Sequence, residues 1–163
     1  MNNRFSKSLS PEQAYEKAKH FCAYQERSHF EIREKLYGFG LRKDDVEQLL
    51  SKLIEENYLN EERYARQFAG GKFRMKQWGK IKIAYELKQK RVSPFNINKA
   101  LQEISQEDYL RTLRKLVLQK WKSLKNEQYI NRQVKTKKYL LQKGFEPGLI
   151  QVEIAALKKD TKG

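Results

Sequence analysis

Apolar residues recur along the chain at intervals of about fifty residues, and each recurrence has the same internal spacing. A leucine is followed ten positions later by a β-branched residue, and two more apolar residues come four and seven positions after that one. The three copies are Leu36, Val46, Leu50 and Leu53, then Leu87, Ile97, Leu101 and Ile104, then Leu140, Ile150, Ile154 and Leu157. Steps of four and seven residues place side chains on one face of an α-helix. The pattern therefore predicts helical modules that bury their apolar faces within themselves and against their neighbours.

Capping signals divide each module into three helices. Ser10-Pro11 and Ser93-Pro94 combine an N-cap serine with a proline at the first helical position. Gly40 and Gly144 stand where helices should end, and the equivalent position in the second module is Arg91, so that turn must close without glycine. The predicted helices cover 11–25, 28–38 and 43–57, then 61–77, 80–90 and 94–104, then 106–124, 127–143 and 147–159.

These elements predict an all-α protein built as an elongated row of three tandem three-helix modules. The modules should cover residues 11–57, 58–104 and 105–159. No segment shows the sustained alternation of a β-strand. We expect fraying at residues 1–9 and 160–163, and a helix break or kink at Gly70-Gly71.

Bulk composition narrows the class of protein. The chain is 39% hydrophobic and 12% aromatic, which argues against simple disorder. The single cysteine, Cys22, excludes an internal disulfide, and its apolar neighbours predict a buried structural thiol. No run of 18 apolar residues is present, and the N-terminus lacks the apolar core of a signal peptide. We therefore expect a cytoplasmic protein.

The formal net charge of +15 is distributed unevenly. Residues 1–60 carry ten basic and ten acidic side chains, residues 61–104 carry eleven and four, and residues 105–163 carry fourteen and six. All the excess positive charge therefore lies in the second and third modules. This asymmetry favours a polyanionic partner, which could be nucleic acid, an acidic protein groove or a membrane surface, over charge that serves solubility alone.

The chain offers little to an enzyme. Its only histidines are His20 and His29, and His29 follows Ser28 at a predicted helix start, where a solvent-facing role is expected. Gly70-Gly71-Lys72 is the nearest approach to a phosphate-binding loop, but it lacks the preceding strand and the spacing. We therefore predict no catalytic residues, no metal site and no cofactor.

Basic side chains of the second and third modules form the candidate surface for the partner or for nucleic acid. In the second module they are interleaved with Phe73, Trp78 and Tyr85, although a tryptophan at a helix junction usually fills the gap between elements. Lys143 lies on the same predicted helix as the third-module candidates. The candidate residues are Lys72, Arg74, Lys76, Lys80, Lys82, Lys88, Lys90, Arg91, Lys135, Lys137 and Lys138.

Three segments resemble signatures of the RecX family of regulatory proteins. Residues 25–36 (QERSHFEIREKL) resemble the first-module signature, in which an Arg-Ser pair opens a helix that ends in a Glu-Leu-Arg-x-Lys-Leu-like run. Residues 58–68 (YLNEERYARQF) are similar to the second-module signature Leu-Asp-Asp-x-Arg-aromatic-Ala-x-x-Phe, and residues 80–87 (KIKIAYEL) to the Arg-Ile-x-x-Glu-Leu stretch after it. Two turns depart from the family: Trp78-Gly79 replaces Gly-Pro, and Lys90-Arg91 replaces Lys-Gly.

The resemblance implies a cytosolic bacterial modulator of the RecA recombinase, involved in DNA repair and recombination. Such proteins are elongated, all-helical and built of three modules. They bind the RecA filament on single-stranded DNA, lower its ATPase and strand-exchange activities and oppose filament growth, and some also contact DNA.

Two other functions remain compatible with the residues. The chain could be a nucleic-acid-binding protein that uses a basic helical-repeat surface without sequence specificity. It could also be an adaptor for an unrelated acidic partner. We expect a monomer that does not bind membranes, because no heptad seam and no exposed apolar stripe is evident.

Overall fold

The computed structural model describes residues 8–161, and over this range the backbone forms nine α-helices and no strand. The prediction of an all-α protein with three tandem groups of three helices is confirmed. The helices are α1 (Pro11–Tyr24), α2 (His29–Gly38), α3 (Lys43–Glu55), α4 (Glu61–Gly71), α5 (Lys80–Gln89), α6 (Pro94–Gln102), α7 (Gln106–Ser123), α8 (Tyr129–Lys143) and α9 (Pro147–Thr161).

Serine caps begin the helices where the sequence predicts them. The Ser10 hydroxyl accepts a hydrogen bond from the Gln13 N–H at 3.2 Å, and the Gln13 side chain accepts one from the Ser10 N–H at 3.1 Å. Ser105 caps α7 in the same way, with its hydroxyl accepting from the Asp108 N–H at 3.3 Å. These bonds satisfy backbone donors that the first turn of a helix leaves without partners.

The equivalent turn of each repeat adopts the left-handed conformation. Gly40 has φ +85°, Gly144 has φ +95°, and Arg91, which replaces glycine in the second repeat, has φ +58°. Glycine adopts this region without steric cost, whereas a residue with a Cβ is strained there. The repeat therefore keeps its turn geometry even where the sequence lacks the favourable residue.

Helix α4 is not interrupted at Gly70-Gly71. Helix α4 includes both glycines, and a single π-helical segment, called here the π-turn (Lys72–Lys76), follows directly and ends at Gln77 with φ +55°. The Arg74 side chain lies against Gly70, where an added Cβ would be only 2.7 Å from a guanidinium nitrogen. Gly70 has no side chain and therefore leaves room for the Arg74 guanidinium beside α4, next to the point where the backbone changes from an α-helix to a π-helix.

The described residues divide into two compact units. Unit 1 contains the residues up to Gln67 together with Leu87–Ile97. Its core includes the buried residues Ala14, Ala18, Cys22, Ile32, Leu36, Val46, Leu50, Leu53 and Leu59. Cys22 is buried, so the prediction of a buried thiol is confirmed. This burial raises the pKa of the Cys22 thiol to about 11.

The N-terminal boundary of unit 1 is tied down from Leu9. The Leu9 N–H donates to the Phe39 carbonyl at 2.9 Å, and its side chain packs against the core. Fraying is therefore not seen at this residue. Helix α9 extends to Thr161, so the predicted fraying is not seen at residues 160 and 161 either. The prediction for residues 1–7 and 162–163 lies outside the described range.

His29 departs from the prediction that it faces solvent. Its Nε2 atom is buried and has no hydrogen-bond partner among the described residues. Ser28, which caps α2, is fully buried, so the start of this helix lies inside unit 1. His29 is the next residue and is half-buried. Burial lowers the pKa of His29.

Unit 2 contains Phe68–Glu86 and the residues from Asn98 onward. Its centre is Tyr109, which is fully buried and contacts Phe73 and Phe145 at ring-centroid distances of 5.8 and 5.2 Å. The Tyr109 hydroxyl accepts a hydrogen bond from the Lys80 N–H at 3.0 Å and donates one to Glu146. Burial and the Glu146 carboxylate raise the pKa of Tyr109, so it remains a neutral core residue.

Candidate polyanion interface

Four lysines of unit 2 lie around one corner of the unit, and we call Lys72, Lys76, Lys82 and Lys143 the lysine cluster. The Nζ atoms of Lys72 and Lys82 lie 5.0 and 4.6 Å from the centroid of the Trp78 ring. The Lys143 ammonium donates a hydrogen bond to the Lys76 carbonyl oxygen at 2.8 Å. The cluster therefore combines the π-turn, the first turn of α5 and the last residue of α8.

Backbone contacts hold the start of α5 against the end of α8. The Gly79 N–H donates to the Lys143 carbonyl at 2.8 Å, and the Ile81 N–H donates to the Gly144 carbonyl at 3.0 Å. These bonds pair N–H groups at a helix start with carbonyls at a helix end, which neither helix can satisfy internally. A Cβ added at Gly79 would overlap the backbone of Gly144 and Phe145. Glycine at position 79 is thus what permits this approach.

Like charges are concentrated in the lysine cluster. Burial, followed by the positive charges of Lys82 and Lys76, lowers the pKa of Lys143. Among the side chains that the structure describes, no carboxylate forms an ion pair with any of the four lysines. An approaching anion would relieve this repulsion as well as gain direct attraction, so the cluster favours a polyanionic ligand.

Trp78 orders the cluster. It is half-buried, and its ring meets Phe68 edge-on at a centroid distance of 6.4 Å. It thus packs against a neighbouring element, as expected from its place at a helix junction. Its ring also attracts two ammonium groups, and this cation–π contact restricts where the Lys72 and Lys82 side chains point.

The remaining second-module candidates have other environments. In unit 2, Arg74 is exposed beside Gly70, and the Lys80 Nζ lies 4.8 Å from the Tyr109 ring centroid. In unit 1, Lys90 pairs with Glu31 at 3.9 Å, and the Arg91 guanidinium lies 4.8 Å from the Phe30 ring centroid. Lys88 is also in unit 1 and is exposed. Lys90 and Arg91 therefore already have contacts within the protein.

The third-module candidates all lie on α8 and differ in their contacts. Lys135 forms an ion pair with Glu127 at 2.6 Å, whereas Lys137 and Lys138 are exposed. Lys143, which is not among the predicted site residues, is the member of this helix that joins the lysine cluster. A signal was present, because Lys143 stands 53 residues after the candidate Lys90, the offset that relates Leu87 to Leu140.

The described residues contain no group of three or more His, Cys, Asp or Glu side chains that could hold a metal ion. Within the same range, no helix has the length and apolar character needed to cross a membrane.

Comparison with protein families matches the chain in three consecutive segments. Models of the first, second and third three-helix domains of RecX match residues 14–53, 60–101 and 106–152. The regulatory protein RecX of Oceanobacillus iheyensis is 26% identical over 141 residues, which is 86% of this chain and 52% of that protein. The regulatory protein RecX of Bacillus cytotoxicus is 27% identical over 149 residues, or 91% and 55%. The chain thus spans about half the length of these relatives.

Solved structures show the same fold. The crystal structure of RecX from Lactobacillus salivarius aligns with a TM-score of 0.83 at 24% identity, covering 91% of this chain and 96% of that one. A second crystal structure, of a regulatory protein RecX, aligns with a TM-score of 0.81 at 23% identity, covering 89% and 71%.

Proposed function

The chain belongs to the RecX family of regulatory proteins, and from this premise we propose that it regulates the RecA recombinase. In this proposal it binds the RecA filament on single-stranded DNA and lowers ATP hydrolysis and strand exchange. It acts as a monomeric cytoplasmic regulator without catalytic activity or cofactor. Tandem modules suit such a target, because weak contacts with successive filament subunits add up to a strong overall attachment.

The observation that carries the proposal is the lysine cluster. Its four ammonium groups have no carboxylate partner among the described side chains. Trp78 restricts the positions of the Lys72 and Lys82 ammonium groups, and the bond to the Lys76 carbonyl oxygen restricts that of Lys143. A preorganised group of cations loses little conformational entropy when it binds a polyanion. We propose that this cluster contacts the nucleoprotein filament and that further contacts come from Arg74, Lys80, Lys88, Lys90, Arg91, Lys135, Lys137 and Lys138.

The second candidate function is nucleic-acid binding without a protein target. The same cluster supports it, because lysines arranged around an aromatic ring suit a phosphate backbone with exposed bases nearby. The two functions differ in what limits the effect. A filament regulator needs few copies per RecA subunit, whereas a DNA competitor must cover the strand.

Single-strand-dependent ATP hydrolysis by the cognate RecA separates these functions. The protein is titrated at near-physiological salt, with DNA fixed and the filament preassembled in half the samples. A regulator should inhibit at well below one copy per RecA subunit in both sets. Inhibition only at DNA-coating amounts, and only without preassembly, would support the nucleic-acid-binding function instead. No effect in either set would contradict both.

A charge-reversal pair assigns the effect to the lysine cluster. Lys82→Glu with Lys143→Glu should weaken inhibition at least tenfold, since two contacts of roughly 1 kcal/mol each become repulsive. Lys115→Glu is the control, because Lys115 is an exposed lysine of α7 in the same unit but outside the cluster. Equal inhibition by the double variant and the parent would remove the cluster from the proposed function.

A further inference from the structure

Helix α8 carries aliphatic side chains that remain exposed within the described part of the chain. Ile130 and Val134 are 72% and 60% exposed, and Leu141 is 41% exposed. Spacings of four and seven residues place all three on one side of the helix, opposite the buried Thr136 and Leu140. The expectation that no apolar stripe is exposed is therefore wrong: the sequence shows apolar spacing but cannot show which side of a helix meets the core.

One position of this face is also apolar on the equivalent helix of the preceding repeat, whereas the equivalents of Ile130 and Leu141 are Gln77 and Lys88. Ile81 on α5 is 51% exposed and stands 53 residues before Val134, the offset that relates the buried Leu87 to the buried Leu140. Tyr85, one turn after Ile81, is also exposed. Two consecutive repeats therefore present an apolar side chain to solvent at the same register position, and both belong to unit 2.

The charges around these side chains restrict the partner. Helix α8 contains no Asp or Glu, and Lys137 and Lys138 are exposed on the side that carries Val134 and Leu141. An aliphatic face among lysines suits a protein surface with an apolar groove bordered by carboxylates. A second copy of this chain is disfavoured, because its net charge of +15 would repel its like. Phosphate groups alone would leave the aliphatic side chains without a contact.

We propose that the exposed faces centred on Ile81 and Val134 are two equivalent docking faces for a protein partner built of repeated subunits. Each face inserts its aliphatic side chain into an apolar groove bordered by carboxylates, and the repeat of the chain matches the repeat of the partner. This inference rests on the proposed function, since it assigns the protein contacts to these faces and leaves the phosphate contacts to the lysine cluster.

Substitution of each face by a polar residue that favours helices tests the proposal. Ile81→Gln, Val134→Gln and the double variant are assayed by co-sedimentation with preassembled RecA filaments and, in parallel, by anisotropy with a labelled single-stranded oligonucleotide. Each single variant should bind filaments roughly fivefold to tenfold more weakly, from the lost burial of one aliphatic side chain. The affinity of the double variant for filaments should fall by the product of the two single-variant factors. Its binding to the free oligonucleotide should not change.

The control is Val152→Gln, which removes a 63% exposed aliphatic side chain from α9 of the same unit and should leave filament binding unchanged. Circular dichroism verifies that each variant keeps its helix content. Filament binding by the double variant equal to that of the parent overturns the docking faces, even where the parent inhibits ATP hydrolysis. Loss of binding by the double variant to vesicles with anionic lipid, without loss on filaments, would assign the faces to a membrane surface and also overturn the proposal. If the parent itself neither binds filaments nor inhibits them, the proposed function fails first.

Discussion

Gly79 allows the start of α5 to lie against the end of α8. Its N–H and that of Ile81 bond to the carbonyls of Lys143 and Gly144, and there is no space for a side chain between them. The sequence marks Trp78-Gly79 only as a departure from the Gly-Pro of the family, and its physical role lies in a contact between residues 65 positions apart.

Gly79→Ala should destabilise the protein by about 2–4 kcal/mol, because the new Cβ would push the end of α8 away from the start of α5. This movement would break the hydrogen bonds from the Gly79 and Ile81 N–H groups to the carbonyls of Lys143 and Gly144. Denaturant unfolding of parent and variant measures the difference. Gly71→Ala is the matched control, since Gly71 is helical and has nothing within 4 Å of an added Cβ. That control should be neutral or stabilising by up to about 1 kcal/mol. An equal effect of both substitutions would refute the role of the close contact.

His29 makes the stability of unit 1 sensitive to acid. Burial lowers its pKa below the ordinary 6.5; nearby Glu61 opposes that shift and Arg33 adds to it. Below pH 6.5 the unfolded chain therefore binds a proton at His29 more readily than the folded chain does. As a result, the free energy of unfolding decreases as the pH falls. Above pH 6.5 the ring is neutral in both states, and this contribution to stability is fully present.

His29→Leu should remove a buried nitrogen that has no hydrogen-bond partner within the described part of the chain, and should stabilise the protein by roughly 1 kcal/mol at pH 7. The advantage of the variant should grow by a few tenths of a kcal/mol between pH 7 and pH 5, since solvent screens part of the ring. Urea unfolding at several pH values measures both. Parallel pH profiles for parent and variant would show that His29 does not carry the acid sensitivity.

At the scale of the element, the repeat preserves a turn rather than a residue. Gly40, Arg91 and Gly144 all have positive φ and end the middle helix of their modules. Arg91 bears the steric cost of this conformation and places its guanidinium against Phe30. The turn geometry is thus dictated by the packing of the helices on both sides of it.

Substitutions at Arg91 should reveal that cost. Both Arg91→Gly and Arg91→Ala lose the contact with Phe30, but only glycine is relieved of strain, so the glycine variant should be more stable by about 1 kcal/mol. At Lys88, in the last turn of α5, the order should reverse, with alanine more stable than glycine by up to about 1 kcal/mol. Thermal unfolding of the four variants checks the two orders, and the same order at both positions would contradict a strained turn.

At the scale of the whole molecule, we expect charge to govern association. The net charge of +15 belongs to the second and third repeats, and the lysine cluster in unit 2 is where like charges approach one another without carboxylates between them. Binding of a polyanion to such a surface releases counterions, which makes the affinity depend steeply on salt.

Lys143→Met should therefore reduce the slope of log affinity against log salt for a single-stranded oligonucleotide by about 0.7, the value for one phosphate contact. Lys115→Met removes the same charge from the exposed surface of α7 and should leave the slope unchanged. Anisotropy titrations at several salt concentrations provide the slopes. Equal slopes for the two variants would mean that only the total charge matters.

The sequence by itself determined the repeat, the helices and the positive charge of the second and third modules, because these depend on local spacing, capping residues and composition. The apolar steps around Leu36, Leu87 and Leu140 predicted helices with a buried face, and the excess of lysines led us to expect a polyanionic or acidic partner. The residues that meet each other were decided by the tertiary structure, since contacts between distant positions depend on how helices pack. Packing alone brought Lys143 to Lys76, placed Lys90 beside Glu31 and Arg91 beside Phe30, buried the Nε2 atom of His29, and left Val134 exposed.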